Sequence, residues 1–283
     1  MRRVTTLTGL CTLAACFALA SNGCSSDDGT ETTPTGQGGG TATGTAAGGT
    51  GGTGGTGGSV SGNCDPDTVA CEAEVSAALN LQGESAPGLI ANEADGSGWI
   101  SAIDATAGGF GAPDPHSYVY GRFTDEGLEK VLISDTQSLT SMDWDIGFQR
   151  FIIRINSGNS GPSCVSRAQL AGPPEYDTVT EVPTGLTYSE DEYFTPNCTM
   201  IEDGAGLESP ATVLGGYWTY TDNHCLQMTE NVYVLQLPSG RHIKLEVTHY
   251  YLADAQEDCN TTGSVDPATA GSANIRIRWA FLD

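Results

Sequence analysis

Beyond residue 80 the apolar residues recur with a period of two, and no long stretch has the 3.6-residue period of a helix. In Arg241 to Tyr251, the residues Ile243, Leu245, Val247 and His249 fall on one face, and His242, Lys244, Glu246 and Thr248 on the other. The closing segment repeats the pattern, with Ile275, Ile277, Trp279 and Phe281 alternating against Arg276 and Arg278. Gly98–Ala105, Ser117–Phe123 and Glu129–Ser134 are further strand-like runs, and Pro238-Ser239-Gly240 supplies the turn of a hairpin between Asn231–Leu237 and the Arg241 strand. Asp143 to Asn156 reads as one strand whose apolar phase flips between Phe148 and Phe151. Such a flip predicts a bulge near Gln149-Arg150 unless both faces are buried there. Only Asp65-Pro66 and the Ala/Glu-rich stretch to Leu79 suggest a helix. The expectation is an all-β domain, a single antiparallel sandwich.

That domain begins late in the chain. Arg2 and Arg3 precede an apolar stretch from Val4 to Ala20, and the chain turns polar at Cys24-Ser25-Ser26-Asp27-Asp28, the order of a bacterial export signal. Two cysteines fit lipidation. Cys16 follows Leu13-Ala14-Ala15 and matches the usual lipobox letters; Cys24 follows Ser21-Asn22-Gly23 and sits where the composition changes. Residues 25–62 contain almost nothing that packs, and Gly48 to Gly58 reads GGTGGTGGTGG without the prolines collagen requires. The predicted organisation is a lipoprotein signal at 1–24, a Gly/Thr-rich linker at 25–62 and a β-domain at 63–283.

Cysteine parity favours Cys24. If it carries the lipid, six cysteines remain in the domain, Cys64, Cys71, Cys164, Cys198, Cys225 and Cys259, and an even number in an exported protein reads as three disulfides. No C-x-x-C spacing occurs, which speaks against a zinc or redox role.

Charge excludes other classes. The chain has 35 acids against 11 bases. Removing Asp27, Asp28, Glu31, Arg2 and Arg3, which precede the domain, leaves 32 against 9, a domain charge of −23. Nucleic acid is not an expected partner, because so few scattered bases make no phosphate-tracking stripe. The G-x-S-x-G, Walker, H-E-x-x-H and dinucleotide patterns are missing, and no enzyme is expected. Asp143 and Asp145, two apart on a strand, and the acidic runs Glu190-Asp191-Glu192 and Glu257-Asp258 read as solvated groups. A Ca²⁺ or carbohydrate site is the weaker alternative.

Among the histidines, His116 reads as a turn residue, His242 as surface and His249 as a core histidine. His224 differs. It ends Tyr217-Trp218-Thr219-Tyr220-Thr221-Asp222-Asn223-His224, where aromatic residues beside an imidazole are the parts of a planar tetrapyrrole pocket. The same letters also suit the end of a strand.

Several blocks together resemble the HmuY-like family of haem-binding bacterial lipoproteins. They are Ser117-Tyr118-Val119-Tyr120, Ile133-Ser134-Asp135, Trp144 to Arg150, and Ile152 to Gly161 (IIRINSGNSG). The C-terminal blocks are Trp218, Tyr220 and His224, Val232 to Leu235, Gly240, Lys244-Leu245, Tyr250-Tyr251 and Ile275 to Phe281. The likeness covers about 98–170 and 214–283. It implies an all-β, exported, lipid-anchored protein of the outer membrane or cell surface that takes haem from a haem-carrying host or environmental protein and passes it to an outer-membrane transporter. It also implies two axial side chains on the iron, with His224 as the C-terminal one, and a pocket formed by Trp218 and Tyr220. No histidine lies between His116 and His224, so the other ligand falls to Met200 or Tyr193. Arg154, Arg167 and Arg241 are the candidates for the propionates. The alternative is the same fold without haem, a disulfide-held surface adhesion or scaffold lipoprotein.

Overall fold

The computed structural model describes residues 64–106, 117–172, 174–205, 209–221 and 225–282. The signal and linker, with Cys16 and Cys24, and the residues His116 and His224 lie outside them. Twelve strands and three helices follow in chain order: α1 (Glu72–Ala78), β1 (Ile90–Asp95), β2 (Gly98–Asp104), β3 (Val119–Thr124), β4 (Gly127–Val131), α2 (Asp135–Ser138), β5 (Ile146–Gln149), β6 (Ile152–Ile155), β7 (Ser166–Gln169), β8 (Trp218–Tyr220), β9 (Leu226–Met228), β10 (Val232–Gln236), β11 (His242–His249), α3 (Ala253–Thr262) and β12 (Asn274–Leu282). They form an antiparallel six-stranded sheet ordered β1-β2-β12-β11-β10-β7, a four-stranded sheet ordered β4-β3-β5-β6, and a β8-β9 pair. The all-β expectation holds.

The period-two residues explain the layers. Ile243, Leu245, Val247, Ile275, Ile277 and Trp279 of the large sheet enter one core with Val119, Phe123, Ile146, Phe148, Ile153 and Ile155 of the small sheet. Asn92 of β1 fastens the sheets at one edge. Its amide donates to the Leu128 carbonyl at 3.1 Å and accepts the Leu128 N–H at 3.0 Å, standing in for a neighbouring strand's peptide group. The outer face of the large sheet is covered too. Val232, Val234 and Leu282 pack beneath Leu170, Tyr176 and Val179, and Lys244 is buried there, donating to the Tyr176 carbonyl at 3.0 Å.

Three local expectations are corrected. The phase flip after Phe148 is not a bulge but a reversal: β5 and β6 pair as a hairpin, Gln149 against Ile152, across a loop of Arg150 and Phe151. Arg150 takes a positive φ of 52°, and a two-residue turn shifts the apolar phase as a bulge would. The N-terminal helix is shorter than expected, because Cys71 at its N-cap is left-handed (φ 59°) and disulfide-bonded. And α3 was not anticipated. It buries only Gln256 and Cys259, so it lacks an apolar stripe. Gln256 replaces one, accepting from the Tyr250 and Tyr251 N–H groups and donating to the Leu226 carbonyl. Glu257 and Asp258 are therefore solvated on the exposed side of this helix.

The six domain cysteines pair as Cys64–Cys164, Cys71–Cys198 and Cys225–Cys259. Two of these bonds staple the segment before β1 onto the loops around residues 164 and 198, across 100 and 127 residues of sequence. No helix among the described residues is long and apolar enough to cross a membrane.

Candidate functional site

A cavity of about 430 Å³ lies between β8 and the segments on either side of residues 206–208. Gly215 and Gly216 of a 3-10 turn, Trp218 and Tyr220 of β8, Thr212 and Asp203 are among its lining residues. Its size falls in the range of about 300–1,000 Å³ usual for small-molecule pockets.

Each wall has a cause. Trp218 is buried, its ring edge-on to Phe151 at 5.7 Å, while the Tyr217 hydroxyl donates to the Phe151 carbonyl at 2.9 Å. Two residues on along β8, Tyr220 falls on the same face as Trp218 but at the strand's end, where it is 43% exposed. The Asp203 carboxylate accepts the Ala205 N–H at 2.9 Å, and its own N–H donates to the Ser209 carbonyl at 2.8 Å. Thr221 N–H donates to the Cys225 carbonyl at 2.9 Å, closing the connection between β8 and β9. Both ends of that connection are then tied to α3, by Thr221 Oγ1 donating to the Gly263 carbonyl at 2.7 Å and by the Cys225–Cys259 disulfide.

The wall is held from behind by a buried polar network. The Val213 N–H donates to Asp191, which also accepts from the Ile155 N–H and the Ser160 hydroxyl, each at 2.8 Å. Asp191 is fully buried, and burial pushes its carboxyl up to about 6 despite those donors and nearby Arg154. Ser160 leads to the Tyr193 hydroxyl at 3.0 Å. Arg154 is likewise fully buried, its guanidinium carbon 4.4 Å from the Tyr118 ring centroid, and it donates to Ser138 at 2.7 Å and to the Tyr120 hydroxyl.

These positions sort the sequence candidates. Trp218 and Tyr220 both line this one cavity. Met200 is half-buried, bridged to Phe194, three residues before the lining residue Asp203. Tyr193 is a core residue with no exposure, its hydroxyl engaged by Ser160, and burial pushes its phenol up to about 12. Arg154 is sealed in the interior. Arg167 donates from Nε to the Val213 carbonyl at 2.5 Å and lies over the Tyr233 ring, and Arg241 pairs with Asp125 at 2.7 Å. None of the three lines the cavity.

The acidic pairs are corrected as well. Asp145 and Asp191 are buried hydrogen-bond acceptors rather than solvated groups, while Asp143 is exposed and pairs with Arg122 at 2.7 Å. His249 is half-buried at the β11 irregularity, where burial and Arg276 lower its pKa. His242 is partly exposed beside Tyr188. The one converging set of three metal-type donors among the described residues is Cys71, Glu74 and Cys198, and its two sulfurs are consumed by a disulfide. Sequence reading missed the Gly215-Gly216 wall and Asp203. A Gly-Gly pair just before an aromatic run was their only local signal.

The family model of the HmuY protein matches residues 116–263, more than half of the chain. The chain belongs to the HmuY family. The match spans the cavity, the β8–β9 pair and the segment 171–213, for which the sequence blocks gave no alignment. Several solved structures are similar. One, from Bacteroides vulgatus, is described as HmuY-like and heme binding (14% identity over 65% of this chain and 91% of that one, TM-score 0.40). Another is described as a lipoprotein of Bacteroides fragilis (10% identity, 69% and 94%, TM-score 0.41), and a third is the apo HmuY analog of Tannerella forsythia (14% identity, 70% and 98%, TM-score 0.37). No protein of curated function matches the chain.

Proposed function

We propose that this HmuY-family chain is an exported, lipid-anchored, non-catalytic haem-binding protein that serves haem or iron acquisition at the cell surface. The observation that carries this reading is the cavity that gathers Trp218, Tyr220 and the segment following Met200 within the family-matched region. An aromatic wall beside a flat Gly215-Gly216 wall fits a planar ring. Bound haem would supply an iron that accepts two axial donors. Met200 through its thioether and His224 through a ring nitrogen are the proposed pair. The Tyr193 hydroxyl is left out, since reaching a ligand would break its bond to Ser160 and expose the core.

Residues 1–24 act as the lipoprotein signal, Cys24 takes the lipid in preference to Cys16, and 25–62 serve as a spacer of roughly 35 Å root-mean-square span. Closure of all six domain cysteines into pairs supports Cys24, because that choice leaves no odd thiol. The donor of haem would be a haem-carrying protein and the recipient an outer-membrane transporter. A second reading, the same fold as a haem-free surface scaffold, is favoured by the lack of any base on the described cavity wall. Absorption spectra separate them. His224→Ala and Met200→Ala should each weaken and shift the Soret band of bound haemin, whereas a scaffold gives no such band.

A further inference from the structure

The cavity described above has an unusual charge. Among its described lining residues Asp203 carries the single formal charge, and the remainder are Gly, Ala, Thr, Trp and Tyr. Arg167 is bound to the chain beside the cavity wall, at Val213. Its Nε donates to the Val213 carbonyl and its guanidinium lies 5.1 Å from the Tyr233 ring centroid, and it is not among the described lining residues. The domain adds a background of 32 acids against 9 bases. Asp203 Oδ1 accepts the Ala205 N–H at 2.9 Å, and the residue is partly exposed at the cavity.

We infer that Asp203 makes this cavity a charge filter. It admits the uncharged or cationic edge of a planar ring and forces any carboxylate-bearing edge to point to solvent. Like charges facing each other across a partly desolvated site cost affinity, and here no cation offsets them. Haemin carries one positive charge at the ferric porphyrin core and two negative propionates. Its dimethyl ester keeps the same ring and iron and loses both negative charges. Asp203 is thus a specificity-determining residue, and the assignment rests on the tetrapyrrole reading of the cavity.

The test titrates the full chain in detergent micelles with haemin and with haemin dimethyl ester, for the unaltered protein and for Asp203→Asn. Partition of each ligand into micelles cancels when each variant is compared on the same ligand. Asn keeps the oxygen that accepts the Ala205 N–H, and equal melting temperatures check that the fold is retained. The filter predicts that Asp203→Asn tightens haemin by about five- to tenfold and leaves the ester within about twofold. The haemin gain should shrink at high salt, where the charges are screened. Asp203→Lys should enlarge the gain for haemin and weaken the ester. Equal effects on the two ligands, or weaker haemin binding by Asp203→Asn, overturn the filter alone. Failure of both ligands to bind the unaltered chain overturns the tetrapyrrole reading and the filter with it.

Discussion

Asp145→Asn should stabilise the protein at neutral pH, although it removes a buried group that holds two strands together. Asp145 is buried beside Trp144, and its Oδ2 accepts the Phe123 N–H at 2.9 Å. Its own N–H donates to the Gly121 carbonyl at 2.9 Å, and its carbonyl accepts the Asn156 N–H at 3.0 Å. Burial pushes the carboxyl from 3.8 up to about 6; the Phe123 N–H and Arg122 pull the other way and lose. Folding therefore takes up a proton between those two values. Stability contributed by this group is greatest below pH 3.8, falls as pH rises through the folded value, and is at its lowest at pH 7. At about 1.4 kcal/mol per pH unit the rise corresponds to roughly 3 kcal/mol. Asn keeps an oxygen for the Phe123 N–H and carries no charge to desolvate. The variant should gain up to roughly 3 kcal/mol at pH 7, or roughly 6–12 °C in Tm for a domain of this size. The gain should vanish near pH 4. Urea unfolding at intervals from pH 4 to 7.5 measures it. A difference independent of pH, or a less stable variant at pH 7, would refute the argument from burial.

Other outcomes follow from the same structure. Peptide mapping under non-reducing conditions should recover Cys64–Cys164, Cys71–Cys198 and Cys225–Cys259 and no free thiol in the domain. Replacing Cys71 and Cys198 together by serine should lower stability by roughly 2–5 kcal/mol, because the bond closes a long loop. Gly158→Ala should destabilise by more than about 2 kcal/mol in thermal melts. Gly158 has a φ of +55°, and an added Cβ would sit 2.5 Å from the Asp191 carbonyl, so both backbone strain and a clash oppose it.

The sequence made the sheets legible where a face is apolar. β11 and β12 fall where period-two alternation placed them, and β10 where the Pro238-Ser239-Gly240 turn placed its hairpin partner. It misled where polar contacts replaced apolar ones. Helix α3 is fixed by Gln256 and a disulfide, neither of which leaves a hydrophobic period. The turn at Arg150-Phe151 carries no Gly or Asn and imitates a bulge in its spacing. Asp145 and Asp191 look like ordinary surface acids in one dimension. Their burial depends on donors that the fold brings from Phe123, Ile155 and Val213. For the candidate site, the aromatic run at 217–220 was readable, but Asp203 was not, because the chain between them returns to the cavity only through the tertiary fold.

Titration of the full chain with haemin, followed in the Soret region, tests the central claim most directly. The account predicts a saturable new band at micromolar haemin or below with one haemin per chain, weakened by His224→Ala and by Met200→Ala and unchanged by Tyr193→Phe. A spectrum identical to that of free haemin throughout the titration would contradict it.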